Sequence, residues 1–139
     1  MIQDILEGIR STLEKNYKDF AVYTEAIPQG FERPCFFVKN LTTGRVKQIG
    51  KFHLLDHPFV IQYFSNTKRK NEDYYKVSEE LYGLLKFMEN RRIWGSDISS
   101  QVVDGVLHFF VTYRIRAKES IEELDDMQIL DIRSDLKNE

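Results

Sequence analysis

Apolar residues recur at helical spacing from the start of the chain. Ile2, Ile5, Leu6, Ile9, Leu13 and Tyr17 fall on one stripe, which predicts an amphipathic helix over 2–17. The period then drops to two: residues 19–26 (DFAVYTEA) alternate and suit a strand, which Pro28 and Gly30 end. Two further β-prone runs, 35–41 and 45–54, flank Thr42-Thr43-Gly44 and are expected to pair as a hairpin. After Asp56-His57-Pro58, residues 59–65 (FVIQYFS) are apolar on both faces, as in a central strand. A polar loop then leads to a second helical stripe over 72–90, formed by Tyr74, Val77, Leu81, Leu84, Leu85 and Met88. Asn71 is its expected N-cap. Glu72 and Asp73 suit the positive end of its dipole, and Arg91 and Arg92 the negative end.

Runs 97–103 and 106–116 enclose Asp104-Gly105, the strongest short hairpin signal in the chain. In the second run Leu107, Phe109, Val111, Tyr113 and Ile115 share the expected core face. The opposite face, Val106, His108, Phe110, Thr112, Arg114 and Arg116, turns basic along its length, so its basic end is expected to reach solvent or a partner. Residues 119–126 hold five acids and no base, before a short apolar strip at Met127, Ile129, Leu130 and Ile132. The segment from about 118 is expected to dock weakly. The order α-β-β-β-β-α-β-β predicts an α+β fold, a mixed or antiparallel sheet packed against two amphipathic helices.

Composition narrows this to one domain spanning 1–139, since 42% apolar content in 139 residues fills a single core and no Gly/Ser or Pro tract reads as a linker. Asp4 and Glu7 interrupt the apolar N-terminal positions, which leaves neither a signal peptide nor a membrane span and predicts a protein that stays in the cytoplasm. The single cysteine, Cys35, sits between Pro34 and Phe36 and reads as a core residue rather than a nucleophile. The net charge of −2 conceals a gradient: 5 basic and 6 acidic residues in 1–44, 10 and 6 in 45–92, and 5 and 10 in 93–139, giving −1, +4 and −5. Such segments are solvated faces or two surfaces made for each other, and the balance is not that of a nucleic-acid binder.

Candidate chemistry is sparse. There is no GxxxxGK[ST] or GxGxxG, so nucleotide binding has no support. His53 and His57 have the spacing of two metal ligands on a helix, yet they fall in a predicted strand and turn that ends at Pro58, and they read as unrelated. His108 reads as a hydrogen-bonded strand residue rather than an acid–base group. The acids of 119–126 lie in a run expected to be exposed, where nothing raises a carboxyl pKa. Neither a catalytic group, a metal site nor a cofactor site is expected. Lys68-Arg69-Lys70 is a basic loop that could meet phosphates or an acidic neighbour.

The stretch from Val102 to Tyr113 (VVDGVLHFFVTY) resembles the signature hairpin of a phage tail terminator, or tail completion, family found in prophages of Gram-positive bacteria. Further blocks of resemblance are Tyr23-Thr24-Glu25, Gln29-Gly30-Phe31, Pro34-Cys35-Phe36-Phe37, Ile61-Gln62-Tyr63-Phe64, and Val77, Glu80 and Leu81. Together they span residues 2 to about 115. This chain departs from the pattern at Ser65, where Pro often stands, and matches poorly after Lys118. The resemblance implies a non-enzymatic virion subunit of a homo-oligomeric, hexameric ring. That ring would bind the last layer of the tail tube protein, with the sheath as a further candidate partner, stop polymerisation and present a surface to the head connector. It implies no cofactor, no membrane and no specific nucleic acid as partner. A ring uses head-to-tail contacts between two different patches. Lys68, Arg69 and Lys70 on one subunit and Glu122, Glu123 and Asp125 on the next are the candidate patches. Another head–tail joining or tail-tube protein of related fold stays open, as does an enzyme or nucleic-acid binder built from scattered residues.

Overall fold

The computed structural model describes residues 2–26, 28–41, 45–50 and 52–118. It is an α+β domain: helices α1 (Ile2–Asn16) and α2 (Lys70–Leu85), and strands β1 (Ala21–Tyr23), β2 (Cys35–Asn40), β3 (Arg45–Ile49), β4 (Phe52–Phe64), β5 (Phe87–Met88), β6 (Ile93–Val103) and β7 (Val106–Lys118). The strands form one sheet in the order β1-β2-β4-β7-β6-β5, with β3 also pairing β4. Among the described residues only the β1–β2 pair is parallel.

Both helices lie on one face of the sheet, because each carries a single apolar stripe that must be covered. Ile5, Ile9 and Leu13 of α1 and Tyr74, Val77, Leu81 and Leu85 of α2 meet Phe36 and Val38, Phe59, Ile61 and Tyr63, and Leu107, Phe109, Val111 and Tyr113 in one core. The face expected of β7 is therefore the core face. Asp104 and Gly105 both take positive φ (52° and 74°), the signature of a two-residue type I′ turn, closed by the Val103–Val106 pair. The first helix ends one residue before its expected limit, and β1 occupies only the middle of the expected strand 19–26.

Two expectations are corrected. The expected hairpin of 35–41 with 45–54 is not formed. Instead β2 and β3 both run antiparallel to β4 on the same side, with Asn40 opposite Phe59 and Arg45 opposite Asp56, so they lie end to end. The true hairpin joins β3 to β4, with Gly50 at φ 61° beside the Ile49–Phe52 pair; Thr42-Thr43-Gly44 lies outside the described residues. The expected strand 59–65 is thus the second half of a strand that runs straight through Pro58. Pro58 is tolerated because its missing N–H falls where β2 gives way to β3; its carbonyl on that side still accepts from the Leu41 N–H at 2.9 Å.

The second correction concerns α2, which starts at Lys70 and stops at Leu85 rather than spanning 72–90. Asn71 lies inside the helix, and the cap position is Arg69, without a side-chain cap bond. Met88, which continues the helical spacing, enters the core from β5 instead, and Arg91 and Arg92 lie beyond the helix. The buried Tyr113 hydroxyl donates to the Leu85 carbonyl at 2.7 Å, satisfying one of the last carbonyls of α2. Burial holds that phenol well above its ordinary pKa.

Candidate functional site: the open sheet face, the basic loop and the β6 edge

The sheet face away from the helices carries the even-numbered residues of β4 and β7. Its β2 end is roofed by the chain before β2: Phe31 packs edge-on against Phe64 at 4.8 Å, and the Arg33 guanidinium lies over both rings while donating to the Ser65 carbonyl at 3.1 Å. Cys35 beneath is fully buried, as the sequence suggested, and burial raises its thiol pKa although Arg33 pulls the other way. In the middle of this face Gln62 and His108 share a 3.0 Å hydrogen bond, and the His108 ring stacks on Phe110, which makes His108 a satisfied strand residue.

At the far end Arg114 is held on three sides. Its Nε donates to Asp56 Oδ1 at 2.9 Å, Nη2 to Asp97 Oδ2 at 2.7 Å and Nη1 to Ser96 Oγ at 3.1 Å. Desolvation is the largest single influence and opposes its charge, but the two carboxylates together outweigh it and raise the guanidinium pKa. Asp97 reaches Arg114 because β6 bulges there: Ser96 faces Thr112 and Ser99 faces Phe110, so two residues oppose one, and Asp97 takes φ 52°. The basic end of this strand face, expected to reach solvent or a partner, is exposed at Arg114, which also pairs with acids of its own chain. The bulge was the missing information.

The loop Lys68-Arg69-Lys70 is exposed at the start of α2, where Arg69 makes only a 3.4 Å contact with Glu72 of the same helix. The loop is anchored from below. Asp73 accepts hydrogen bonds from Tyr63 Oη at 2.5 Å and Ser65 Oγ at 2.7 Å, while Ser65 Oγ accepts from the Thr67 N–H at 3.1 Å. Ser65, the departure from the resembled pattern, is therefore a buried knot that a proline could not tie. Desolvation first, and the Asp73 contact second, raise the Tyr63 phenol pKa. Glu122, Glu123 and Asp125 lie outside the described residues.

His53 and His57 sit on one extended strand, where four residues at about 3.3 Å each set their backbones about 13 Å apart, unlike the one-turn spacing of a helix. Among the described residues no group of three or more His, Cys, Asp or Glu side chains is placed to hold a metal ion. Among them, too, no helix is long and apolar enough to cross a membrane. A groove of about 580 Å³ lies between α1 and the α2–β5 turn, lined by polar and apolar groups such as Ser11, Lys15, Phe87 and Glu89.

Exposed apolar side chains are found on both α2 and β6. Tyr75 and Tyr82 on α2, and Trp94, Val102 and Val103 on β6, are all exposed. Ser78 Oγ and Ser100 Oγ, 2.8 Å apart, join the two elements, and Tyr75 and Tyr82 flank Ser78 on the same helix face. On β6 the exposed apolar residues divide between the two sheet faces, Val102 toward the helices and Trp94 and Val103 away from them.

The family model for phage tail terminator proteins matches residues 4–125, which covers both helices and all seven strands. The chain belongs to the phage tail terminator family. No match is found among curated proteins. The family is one of structural tail-completion proteins, non-enzymatic and associated with the virion, which interact with other tail and head–tail joining components. For a tail terminator, surfaces rather than a cleft are the functional parts, and the knot under the basic loop, the bulge around Arg114 and the β6 edge gain their interest from that.

Proposed function

We propose that this chain is the subunit of a hexameric ring that caps the tail tube, stops its polymerisation and offers its outer surface to the head connector. The family match over residues 4–125 carries this reading. Tails assembled without the protein should be overlong, variable and unable to join heads; tails of normal, uniform length that join heads normally would overturn it.

Within the ring, Lys68, Arg69 and Lys70 of one subunit meet Glu122, Glu123 and Asp125 of the next. The layout supports a contact between chains. The basic loop follows the end of β4 that pairs with the start of β7, whereas the acidic segment leaves the far end of β7, about 40 Å away along a thirteen-residue strand. Seven residues of chain, from Lys118 to Asp125, span at most about 25 Å, which favours a neighbour's loop over their own. Each exposed pair contributes about 0–1 kcal/mol and is screened by salt, so assembly should weaken as salt rises. Reversing the three basic charges should impair assembly, and reversing the three acids as well should restore it in part. Absence of rescue would remove this contact and leave the tail-length test unaffected.

A further inference from the structure

The outer edge of β6 is open. Among the described residues, β5 covers β6 only at Ile93 and Trp94, and no strand pairs with Ile98–Val103 on the side away from β7. Because the type I′ turn makes Val103–Val106 a hydrogen-bonded pair, the alternation of an antiparallel ladder turns the N–H and C=O of Val103, Gln101 and Ser99 toward β7. Those of Val102 and Ser100 point outward. Natural proteins blunt such edges with lysine, proline or a cover, and the six residues ISSQVV contain neither a charge nor a proline. The exposed Trp94 lies in the same strand, with its side chain on the sheet face away from the helices.

We propose that this edge pairs with β3 of a second copy of the chain, so that the sheets of successive subunits join through backbone hydrogen bonds. Three observations select β3. Among the described residues it pairs only β4, and it is longer than the other strands with an unpaired side, three-residue β1 and two-residue β5. Its five residues match the open length of β6. Its charge is complementary: Arg45 and Lys47 lie within the sequence of β3, while Asp104 ends the β6 edge. An edge-to-edge contact of unlike strands is heterologous, and it leaves each copy with a free β3 or β6 until a circle closes. The two free edges lie toward opposite ends of the sheet, so pairing staggers neighbouring copies and tilts their strands, as closure of a barrel requires. This inference rests on the ring reading above and names the contact that holds it.

The test is sedimentation of the full-length chain over a range of concentrations, with amide hydrogen exchange read at each. Expected is a concentration-dependent oligomer in which the Ser100 and Val102 amides and those of β3 become protected together. Val102→Pro, which removes an outward N–H group, should abolish the oligomer and keep the wild-type melting curve; Ser100→Pro, which also loses the Ser78 hydroxyl contact, should abolish the oligomer too. Gln101→Pro, which removes an inward N–H, should instead lower the melting temperature. A wild-type chain that stays monomeric at every concentration would overturn the proposal. So would proline variants that assemble like wild type, or β6 protection that appears only on adding tube protein. Should the proline variants fail to fold, the wild-type exchange pattern decides alone. None of these failures alters the tail-length phenotype, which tests the terminator role separately.

Discussion

Two glycines with opposite surroundings give a prediction whose sign can be worked out from the structure. Gly95, opposite Tyr113 in the β6–β7 ladder, donates its N–H to the Lys86 carbonyl at 2.7 Å. A Cβ added there would stand 2.7 Å from Val111 Cγ2 and 3.2 Å from the Leu85 carbonyl oxygen. Neither neighbour gives way easily: Val111 is buried and stiff at χ1, and the carbonyl belongs to the last residue of α2. Overpacking of this kind costs about 1–3 kcal/mol, against about 0.5–1 kcal/mol recovered by removing a glycine from a strand. Gly95→Ala should therefore destabilise by about 1–2 kcal/mol. Gly83, on an open turn of α2, has nothing within 4 Å of the same added atom. Gly83→Ala should stabilise by about 0.8–1 kcal/mol through helix propensity alone. An unfolding entropy of about 2.1 cal/mol/K per residue over this chain corresponds to about 3–4 °C per kcal/mol. Thermal melts should thus show Gly95→Ala about 3–7 °C below wild type and Gly83→Ala about 3 °C above it. A Gly95→Ala protein as stable as wild type would mean that β6 and the end of α2 are not packed as described. A loss at Gly83 would mean that this face of α2 is covered.

Three further outcomes are expected. Phe109→Ala, in the centre of the core, should cost about 3–5 kcal/mol, and a melting shift of only a degree or two would refute its burial. Asp73→Asn weakens two hydrogen bonds to the buried Ser65 and Tyr63 and should cost about 1–3 kcal/mol; denaturant titration would detect it, and an unchanged midpoint would show that the knot contributes nothing. The raised phenol pKa values of Tyr63 and Tyr113 give stability that is complete below the unfolded-state value of 10.0 and lost as pH rises above it, because the unfolded chain releases those protons first. Alkaline titration followed by tyrosinate absorbance and circular dichroism should show a cooperative unfolding step above about pH 10, later in Tyr113→Phe only if the lost Leu85 bond matters less than the proton.

What could be read from the sequence was what is decided locally. The stripe of α1, the Asp104-Gly105 turn and the alternation of β7 each depend on neighbours a few residues apart, and each appears in the structure as expected. The pairing of β2, β3 and β4 depended on a choice between two glycine-bearing turns, at Gly44 and Gly50, which local spacing could not make. Pro58 resembled a strand break because the gap between β2 and β3 that tolerates it lies in another part of the chain. Met88 fitted a helical period by coincidence, arriving from β5 after the chain had left α2. Of the candidate interface, the basic loop could be recognised from its charges, whereas the Arg114 pairing and the open β6 edge required the bulge and the strand order.

The end-to-end arrangement of β2 and β3 also makes a natural joint for labelling. Each strand is pinned to β4 by its own ladder, so neither depends on the link for its register. Between Asn40 and Arg45 the chain spends four residues where β4 spends two, between Phe59 and Asp56, leaving two more than a straight run would need. Extra residues added at 42–44 lengthen a connection that is already in excess, at an entropic cost that grows only slowly with length. A short epitope inserted there should leave both halves of the sheet in place, and an antibody bound to it would mark the position and number of subunits on an assembled particle.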